Sequence, residues 1–520
     1  MNPARHILTL SPAALRLDIA PGARLQDVLF AQGVEFPCGG RGRCKGCRVK
    51  VLRGTLPVSD EEKELLTAAE LADGWRLACR HTVAGDLALE FAQWEMPVLS
   101  DHSTFTFTPR EGLGVAIDLG TTTIAAQLLD LHTGNVLAVS TALNDQAGHG
   151  SDIMSRVEYA LHGGQKDLER LIRSQLGRMI AQLLAASLPR SSRREEAQTG
   201  SPTAPRSLRG PENVNRVVLV GNTVMHHLFC GLNVEPLAAY PFQPQQPGRF
   251  HFSPGELGWN LPAHTVVEFL PCPGGFVGSD ILAGIVATGL HESRELAALM
   301  DLGTNGEVVV GNRERMLCTS TAAGPAFEGA RISMGMRAAT GAISEVRARN
   351  GALACRVIGG GEPRGLCGSG LVDAVAAGLD LGWIRPDGRM AVAPAMTLAG
   401  TVSLLPADVR ELQLAKGAIA AGLRILTARL GASLDDVCQL QLAGAFGNYV
   451  SRASARRIGL LRVPVNRVTL AGNTALRGAK RALFEDAAQW DALCRRVETV
   501  PLNEDPAFHA IYAEEMRFPE

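Results

Sequence analysis

The fold of this chain is decided by the stretch Val115-Ala-Ile-Asp-Leu-Gly-Thr-Thr-Thr-Ile-Ala-Ala-Gln-Leu-Leu-Asp130. Its β-branched and apolar residues predict a strand, a tight turn and a second strand, and Gly120 permits the turn. The backbone N–H groups of such a turn face one way, and the hydroxyls of Thr121, Thr122 and Thr123 add donors. The stretch therefore predicts a hairpin that binds phosphate oxygens.

The same pattern recurs later in the chain as Met300-Asp-Leu-Gly-Thr-Asn-Gly-Glu-Val-Val-Val310, with its turn at Gly303 to Asn305. In each copy an aspartate, Asp118 or Asp301, ends the first strand, where it can meet Mg²⁺ or its water shell. One Asp-Leu-Gly-Thr sequence is weak evidence, but two copies so far apart indicate duplicated domains. Two facing hairpins can clamp a triphosphate between two lobes.

Further glycine-rich turns fall where predicted strands give way to helices, the place where helix N-terminal N–H groups reach a nucleotide. The alternative is that these glycines only shape the loops. Walker and Rossmann signatures are absent from the sequence. The turns are Val220-Gly-Asn-Thr223, Ala323-Gly-Pro-Ala-Phe-Glu-Gly329, Gly365-Leu-Cys-Gly-Ser-Gly370, Leu442-Ala-Gly-Ala-Phe-Gly447 and Ala471-Gly-Asn-Thr-Ala475.

Composition sets the broad class of the protein. The chain has 520 residues, which is too long for one core, so we expect two or three domains. Its 51 Lys and Arg against 52 Asp and Glu create no overall basic field for nucleic acid or an anionic membrane. No long apolar run or secretion signal is present, so we expect a cytoplasmic protein with neither partner. Its 11 cysteines then predict metal ligation or reduced thiols.

Four cysteines have the spacing of an iron-sulfur site. The segment Cys38-Gly-Gly-Arg-Gly-Arg-Cys44-Lys-Gly-Cys47 is followed by Cys79, and four thiolates on a glycine-rich loop and a strand end suit a 2Fe-2S cluster. The C-x5-C-x2-C spacing is that of ferredoxin domains fused to reductases and oxygenases. A structural zinc site is the alternative, although zinc ribbons usually carry two C-x2-C knuckles and this chain has one. Nearby arginines and lysines form either a solvated loop or a docking rim for an acidic redox partner.

The organisation along the chain follows from these motifs. The first hundred residues alternate short strands with a short helix and predict a small α+β unit. Later residues alternate strands and helices, which predicts α/β layers. We expect a ferredoxin domain at 1–97, a linker at 98–112, a first lobe at 113–298 with an exposed insertion at about 190–215, and a second lobe with C-terminal helices at 299–520.

On these motifs the chain resembles the reductive activators of corrinoid-dependent proteins. That family joins a 2Fe-2S ferredoxin domain to an ATPase of the acetate and sugar kinase, heat-shock protein and actin superfamily. The resemblance implies an α+β ferredoxin-like (β-grasp) N-terminal domain followed by a duplicated α/β actin-like ATPase. It rests on Cys38 to Cys47, Ile117 to Thr123, Asp301 to Glu307, Gly324 to Gly329, Cys367 to Gly370 and Gly444 to Gly447.

The resemblance also implies roles for single residues and three cofactors: a 2Fe-2S cluster, ATP and Mg²⁺. Asp118 and Asp301 organise magnesium and the attacking water, and Asp280 matches an acidic position of the connection between the lobes. The cluster ligands are Cys38, Cys44, Cys47 and Cys79. The phosphate-binding residues are Gly120, Thr121, Thr122, Thr123, Gly303, Thr304 and Asn305, and the adenosine candidates are Glu328, Gly444, Ala445 and Gly447.

The activity that the resemblance implies is ATP-dependent one-electron reactivation of a corrinoid protein, from Co(II) to Co(I), through the cluster. The implied partners are a corrinoid-binding protein or corrinoid-dependent methyltransferase and a low-potential electron donor, with a homodimer left open. Two alternatives remain: a small-molecule kinase with a redox-sensing cluster, and a nucleotide-gated ferredoxin binding module. Some relatives carry an additional middle domain, which we expect to be missing, because only a short stretch separates Trp94 from Gly112.

Overall fold

The computed structural model of the chain describes residues 5–11, 15–30, 32, 34, 42, 47–91, 105–150, 152–187, 210–303, 305–321, 323–329, 331–391 and 394–520. Of the predicted site residues, Cys38, Cys44 and Thr304 lie outside the described residues. The same is true of residues 98–104 of the predicted linker and 190–209 of the predicted insertion.

The N-terminal domain is a five-stranded sheet in the order β2-β1-β5-β3-β4 with one helix packed on it. Strands β1 and β5 run parallel, and the other neighbours run antiparallel. Alternation along β1 buries Leu8 and Leu10 against Leu25 and Leu29 of the first helix. This confirms the β-grasp prediction. The elements are β1 (His6–Ser11), β2 (Leu15–Ile19), α1 (Leu25–Phe30), β3 (Arg48–Arg53), α2 (Asp60–Leu65), α3 (Ala68–Ala72), β4 (Trp75–Leu77) and β5 (Leu87–Phe91).

The first lobe is a six-stranded sheet in the order β10-β11-β9-β6-β7-β8, with helices packed on both faces. Its central strand is almost wholly buried, as expected for a strand covered on both faces. The elements are β6 (Leu113–Leu119), β7 (Thr123–Asp130), β8 (Val136–Leu143), α4 (Ile153–Tyr159), α5 (Gln165–Ser187), β9 (Val214–Gly221), α6 (Thr223–Cys230), β10 (Phe250–Phe252), β11 (Val266–Phe269) and α7 (Ser279–Thr288).

The second lobe is a six-stranded sheet in the order β21-β20-β12-β13-β14-β22, to which two small sheets and several helices are added. Its elements are β12 (Ala297–Leu302), β13 (Gly306–Gly311), β14 (Met316–Thr321), β15 (Ala342–Arg349), β16 (Ala352–Val357), β17 (Gly365–Leu366), α8 (Gly368–Asp380), β18 (Met396–Ala399), β19 (Val402–Leu404), α9 (Pro406–Arg429), β20 (Gln439–Ala443), α10 (Gly444–Tyr449), α11 (Arg452–Arg457), β21 (Val468–Gly472), α12 (Thr474–Ala482), α13 (Ala487–Arg496), β22 (Val497–Thr499) and α14 (Phe508–Met516).

The two lobes share one topology. In each, the first strand (β6 or β12) pairs antiparallel with the next strand and parallel with a later one (β9 or β20). The parallel partner then pairs in parallel with a further strand, β11 or β21. This repetition confirms the duplicated actin-like fold and places the two Asp-Leu-Gly-Thr turns at equivalent positions of the two sheets.

A shared apolar core joins the lobes. Helix α7 of the first lobe packs on α12, which follows the last parallel strand of the second lobe, and α12 also contacts β6 and β9. Leu282 and Leu476 are fully buried at this junction. Helix α12 thus follows a strand of the second lobe but packs on the first lobe. A movement of α12 would therefore displace β6, the first strand of the first phosphate hairpin.

Two predicted boundaries differ from the observed elements. The boundary at 298/299 falls inside β12, which begins at Ala297, and the end of the predicted insertion falls inside β9, which begins at Val214. Among the described residues, no helix has both the length and the apolar character needed to cross a membrane.

The described part of the predicted linker, residues 105–112, is anchored. Phe107 packs on Phe484 with ring centroids 4.4 Å apart, and Phe105 packs on the same ring at 5.5 Å. The backbone N–H of Arg110 also donates to the carbonyl of Leu131 at 2.9 Å. Phe105 and Phe107 are apolar residues in a mostly polar sequence, so the sequence does not reveal their contacts. In the structure they fix the end of the linker to the ATPase.

We expect Phe107→Ala to destabilise this anchor by about 2 kcal/mol, because a half-buried aromatic contact is lost. Thermal unfolding and limited proteolysis at residues 105–112 measure the effect. The matched control is Thr106→Ala, since Thr106 is exposed. Equal melting temperatures and equal cleavage of the two variants would show that Phe107 does not anchor the linker.

Candidate functional site

Asp118 lies at the end of β6, where the fold brings a residue from a distant part of the chain against it. The side chain of Asn473, which caps α12, donates to Oδ2 of Asp118 at 2.9 Å. In the parallel register, Asp118 is paired with Val220 on β9. Asn473 therefore ties the first phosphate hairpin to the helix that connects both lobes.

Asp301 is the equivalent residue of the second lobe, and its neighbour across the hairpin is also acidic. Asp301 pairs directly with Glu307 on β13, so the two side chains lie on one face of the sheet. On the other side Asp301 pairs with Ala443, and the next residue, Gly444, lies against its carboxylate. A Cβ atom at Gly444 would stand 2.5 Å from Oδ1 of Asp301, so only glycine fits there.

Four carboxyl groups influence one another at the meeting point of the lobes. Burial raises the pKa of Asp118 to about 6. Burial, followed by repulsion from Asp118, raises the pKa of Asp280 to about 7. Burial and repulsion from Asp280 and Asp118 raise the pKa of Asp301 to about 7. The pKa of Glu307 is raised well above its usual value by burial and by Asp280 and Asp301.

The arrangement fits a magnesium-nucleotide complex better than a protein-only metal cage. Among the described residues, no three His, Cys, Asp or Glu side chains converge on one metal position. Mg²⁺ usually keeps several waters and is bound by one or two carboxylates together with substrate phosphates. Mutual repulsion of these carboxylates is relieved when a cation arrives, so Asp118 and Asp301 suit a hydrated Mg²⁺ that enters with ATP.

The first phosphate hairpin is held from behind by side chains on other elements. The Asn222 amide donates to the hydroxyl of Thr121 at 2.8 Å, and the Asn144 amide donates to the Gly120 carbonyl at 3.0 Å. The buried guanidinium of Arg156 donates to the Thr121 carbonyl. The turn is so tight that a Cβ at Gly120 would meet the Thr123 carbonyl at 2.3 Å. These bonds fix the turn that the sequence predicted for phosphate.

A backbone hydrogen bond closes the second hairpin. The backbone N–H of Gly303 donates to the Asn305 carbonyl at 3.0 Å, and Asn305 lines the cleft between the lobes together with Thr122 of the first hairpin. The structure therefore brings one described residue of each phosphate-binding set to the same cleft.

The adenosine candidates are also brought together. Phe327 and Phe446 stack with ring centroids 4.5 Å apart, which joins the segment that carries Glu328 to the start of helix α10 at Gly444 to Gly447. Glu328 lines the cleft. Gly447 instead packs under Leu442, which gives it a structural role. Contact of Glu328, Gly444, Ala445 and Gly447 with adenosine stays a prediction.

The two described cluster cysteines lie side by side. The sulfurs of Cys47 and Cys79 are 3.4 Å apart, and both thiols are free of disulfides. A hydrogen bond with Cys79 is the main reason that the pKa of Arg80 is raised. A Cβ at Gly42 would stand 2.9 Å from the Arg80 side chain, so the cluster loop passes close to it. Thiolates at this spacing fit one end of a 2Fe-2S cluster.

A buried carboxylate clamps the segment that carries Cys79. Oε1 of Glu62 accepts from the backbone N–H of Leu77 at 2.5 Å and lies 2.8 Å from Nε2 of His81, so it holds the chain on both sides of the ligand. Its other oxygen accepts from the Ser59 N–H at 2.8 Å. Glu62 is 0% exposed, and despite its burial these hydrogen bonds hold its pKa below the usual value.

Sequence reasoning missed three of these residues: Glu307, Asn473 and Glu62. Glu307 belongs to the second hairpin motif, and the cross-strand register was the signal that could have revealed it. Asn473 lies in the glycine-rich turn Ala471 to Ala475, but nothing in the sequence assigns this side chain a role. Glu62 has only a helix-capping pattern, Ser-x-x-Glu, so its contact with the cluster segment depends on tertiary structure.

Comparison with known families agrees with this architecture. The family model for a 2Fe-2S iron-sulfur cluster binding domain matches residues 8–84. The model for the RACo middle region matches residues 113–200 and 201–293. The model for the C-terminal domain of RACo, the ASKHA domain, matches residues 295–520. The chain belongs to the RACo family.

Individual relatives of this RACo-family chain extend the match to its full length. It is 33% identical to the corrinoid activation enzyme RamQ of Eubacterium limosum, over 95% of this chain and 96% of that one. It is 26% identical to the [Co(II) methylated amine-specific corrinoid protein] reductase of Methanosarcina barkeri, over 73% and 71% of the two chains. The solved structure of a reductive activator for a corrinoid, iron-sulfur protein aligns with a TM-score of 0.66 at 24% identity and shares the fold over 99% of this chain and 98% of that one.

These matches correct one expectation and support another. The middle region expected to be missing is present, because its family model covers the segment assigned to the first lobe. The short stretch between Trp94 and Gly112 gave the wrong expectation, because the middle region does not lie within that stretch. It is itself a lobe of the duplicated fold. The zinc alternative for the cysteines is not favoured, since the matched domain is a 2Fe-2S domain.

The carboxylates predict a pH dependence. Asp118→Asn and Asp301→Asn should each lower Mg-ATP turnover by about 10²-fold or more, because positioning and charge carry phosphoryl transfer. At subsaturating Mg-ATP, wild-type turnover should rise as pH rises through about 6 to 7, because the aspartates must be ionised to hold the cation and burial raises their pKa values in the empty site. Without nucleotide, the folded state holds more protons than the unfolded chain between about pH 4 and 7, so the free energy of unfolding should fall as pH rises through that window.

Steady-state ATP turnover and thermal unfolding at stepped pH measure these effects. The control is Asp435→Asn, because Asp435 is an exposed aspartate of the second lobe. Turnover of Asp118→Asn and Asp301→Asn equal to that of Asp435→Asn would remove both residues from the mechanism.

The clamp predicts that Glu62→Ala, like Cys79→Ala, should impair cluster binding, because the Leu77 N–H and His81 lose a buried acceptor at a cost of about 2–4 kcal/mol. Iron content, visible absorption and the EPR signal of the reduced protein measure this. Glu64→Ala, an exposed change on the same helix, is the control. Full iron content and an unchanged EPR signal in Glu62→Ala would show that the clamp does not position Cys79.

Proposed function

We propose that the chain reactivates a corrinoid protein by ATP-dependent one-electron reduction of Co(II) to Co(I). The observation that carries the proposal is the union, in one chain, of a 2Fe-2S domain with two nucleotide hairpins whose carboxylates meet between the lobes. Membership of the RACo family and the printed activities of RamQ and the Co(II) corrinoid protein reductase support it.

The need for ATP follows from the redox energetics. Plant-type 2Fe-2S clusters have potentials near about −400 mV. If the cobalt acceptor lies about 100 mV lower, the electron transfer costs about 2.3 kcal/mol, by the one-electron scale of 59 mV per 1.4 kcal/mol. A nucleotide cycle can provide this amount by favouring a conformation in which the partner is bound.

The residues of the lobes carry the nucleotide part of the cycle. The two hairpins grip phosphates, and Asp118 and Asp301 orient the magnesium waters and the attacking water. The hydrogen bond from Asn473 couples Asp118 to α12. Helix α12 packs on α7 and thereby links both lobes. Lobe closure on ATP then changes the surface offered to the partner, and hydrolysis releases it. When bound, the 2Fe-2S cluster supplies one electron at a time.

The partner and setting complete the proposal. Electrons come from a low-potential donor, the acceptor is a corrinoid-binding protein or a corrinoid-dependent methyltransferase, and the reaction takes place in the cytoplasm, with a homodimer as the proposed assembly. The kinase and the nucleotide-gated binding module are not favoured, because the named relatives are corrinoid activators.

The full chain with a low-potential donor and Mg-ATP should convert a Co(II) corrinoid protein to Co(I), seen in the corrinoid absorption. Without ATP the conversion should be slow or incomplete, because the uphill step lacks its source of free energy. A chain starting near Gly112 should still hydrolyse ATP slowly but deliver no electron. Reduction that is equally fast and complete without nucleotide for every corrinoid protein tried would contradict the proposal, and a phosphorylated metabolite would establish the kinase.

A further inference from the structure

A large cleft is lined by residues of the N-terminal domain and of both lobes of the ATPase. Its volume is about 1700 Å³. Pockets for one small ligand span about 300–1,000 Å³. The cleft therefore has room for a second occupant beside a nucleotide.

One end of the cleft is the nucleotide site. Thr122 of the first hairpin and Asn305 of the second line it, as do Gly324 and Glu328 of the candidate adenosine loop. Anything bound in the rest of the cleft is thus in direct contact with the region that changes when ATP binds or is hydrolysed.

The opposite wall belongs to the cluster domain. Arg48 and Trp75 line the cleft, and the guanidinium carbon of Arg48 lies 5.7 Å from the centroid of the Trp75 ring. Arg48 directly follows the cluster ligand Cys47, so their Cα atoms are about 3.8 Å apart. An ion pair between Glu90 of the cluster domain and Arg364 of the second lobe holds the two walls together. The cleft therefore reaches the residue next to a predicted cluster ligand.

The wall between these ends is apolar and accessible. Tyr240 is 66% exposed and Met154 is 41% exposed, and both line the cleft. Phe242 packs between Tyr240 and Phe276, edge-on to the first ring at 6.4 Å and tilted against the second at 5.2 Å between ring centroids. The Tyr240 hydroxyl donates to Glu504 of the second lobe at 3.0 Å, so this aromatic wall bridges the lobes.

Amide side chains complete the wall. The exposed residues Gln243 and Asn503 line the cleft beside the aromatic rings. A corrinoid is a broad, largely apolar macrocycle with an edge of amide groups, so it matches an aromatic surface bordered by amide donors and acceptors. Large apolar surfaces left exposed on a folded protein usually mark binding sites.

We propose that this cleft receives the corrinoid of the partner protein, with the macrocycle on the Met154, Tyr240 and Phe276 wall, between the cluster and the nucleotide. This inference rests on the proposed function. In the step, the reduced cluster gives one electron to Co(II), the cluster is oxidised and cobalt becomes Co(I). The low-potential donor then reduces the cluster again.

The test uses the full chain and a Co(II) corrinoid protein that the wild-type chain reduces. The double variant Met154→Ala and Tyr240→Ala should raise the KM for the corrinoid protein by about tenfold or more, since both side chains contact the macrocycle. It should also weaken binding of free cob(II)alamin, which serves as the probe without the partner protein. The cluster EPR signal should stay unchanged.

The matched control is Leu161→Ala with Val139→Ala, because these side chains are 47% and 39% exposed and do not line this cleft. A KM for the double variant within twofold of this control would overturn the proposal. Altered self-association in light scattering without a change in KM would assign the wall to a second copy of the chain and would also overturn it. If the wild-type chain reduces no corrinoid protein at all, the proposed function fails instead.

Discussion

The burial of four neighbouring carboxyl groups, with the repulsion among them, is the constraint on which the rest of the structure depends. Asp301 and Glu307 face each other across one hairpin, and Asp118 and Asp280 add their charges from the first lobe. Burial favours the neutral form of each group, which raises their pKa values, and two ionised carboxylates directly opposite each other would weaken the sheet. In the proposed function, a hydrated cation bound to a nucleotide between the lobes relieves this electrostatic cost.

This constraint links the nucleotide to the redox domain through packing. Asn473 bonds to Asp118 at the start of α12, and α12 packs on α7, so the charge state of the first hairpin acts on the junction of both lobes. The cluster domain meets the second lobe through Glu90 and Arg364 and shares a cleft with the nucleotide site. In the proposed function, a change in lobe closure would alter the cleft that the cluster domain lines, without any direct contact between ATP and iron.

Much of this architecture could be predicted from the sequence because the key signals are local. The Asp-Leu-Gly-Thr turns need only a strand, a glycine and a carboxylate, and the cysteine spacing is fixed by the size of the cluster. These motifs carry the resemblance that implies the β-grasp and duplicated actin-like folds, and the structure confirms both. Glu307, Asn473 and Glu62 could not be assigned, because their roles come from strand register and from contacts between distant residues. The anchoring of Phe105 and Phe107 on Phe484 was hidden in the same way, as it joins residues nearly 400 positions apart.

The central claim is that ATP chemistry at the carboxylates controls electron delivery from an intact cluster. Stopped-flow absorption tests it most directly: chemically reduced Asp301→Asn protein is mixed with Mg-ATP and a Co(II) corrinoid protein that the wild-type chain reduces. The account predicts that the cluster of the variant reduces normally but that Co(I) forms at least about tenfold more slowly than with the wild-type chain. Formation of Co(I) at the wild-type rate, while the variant hydrolyses almost no ATP, would contradict it.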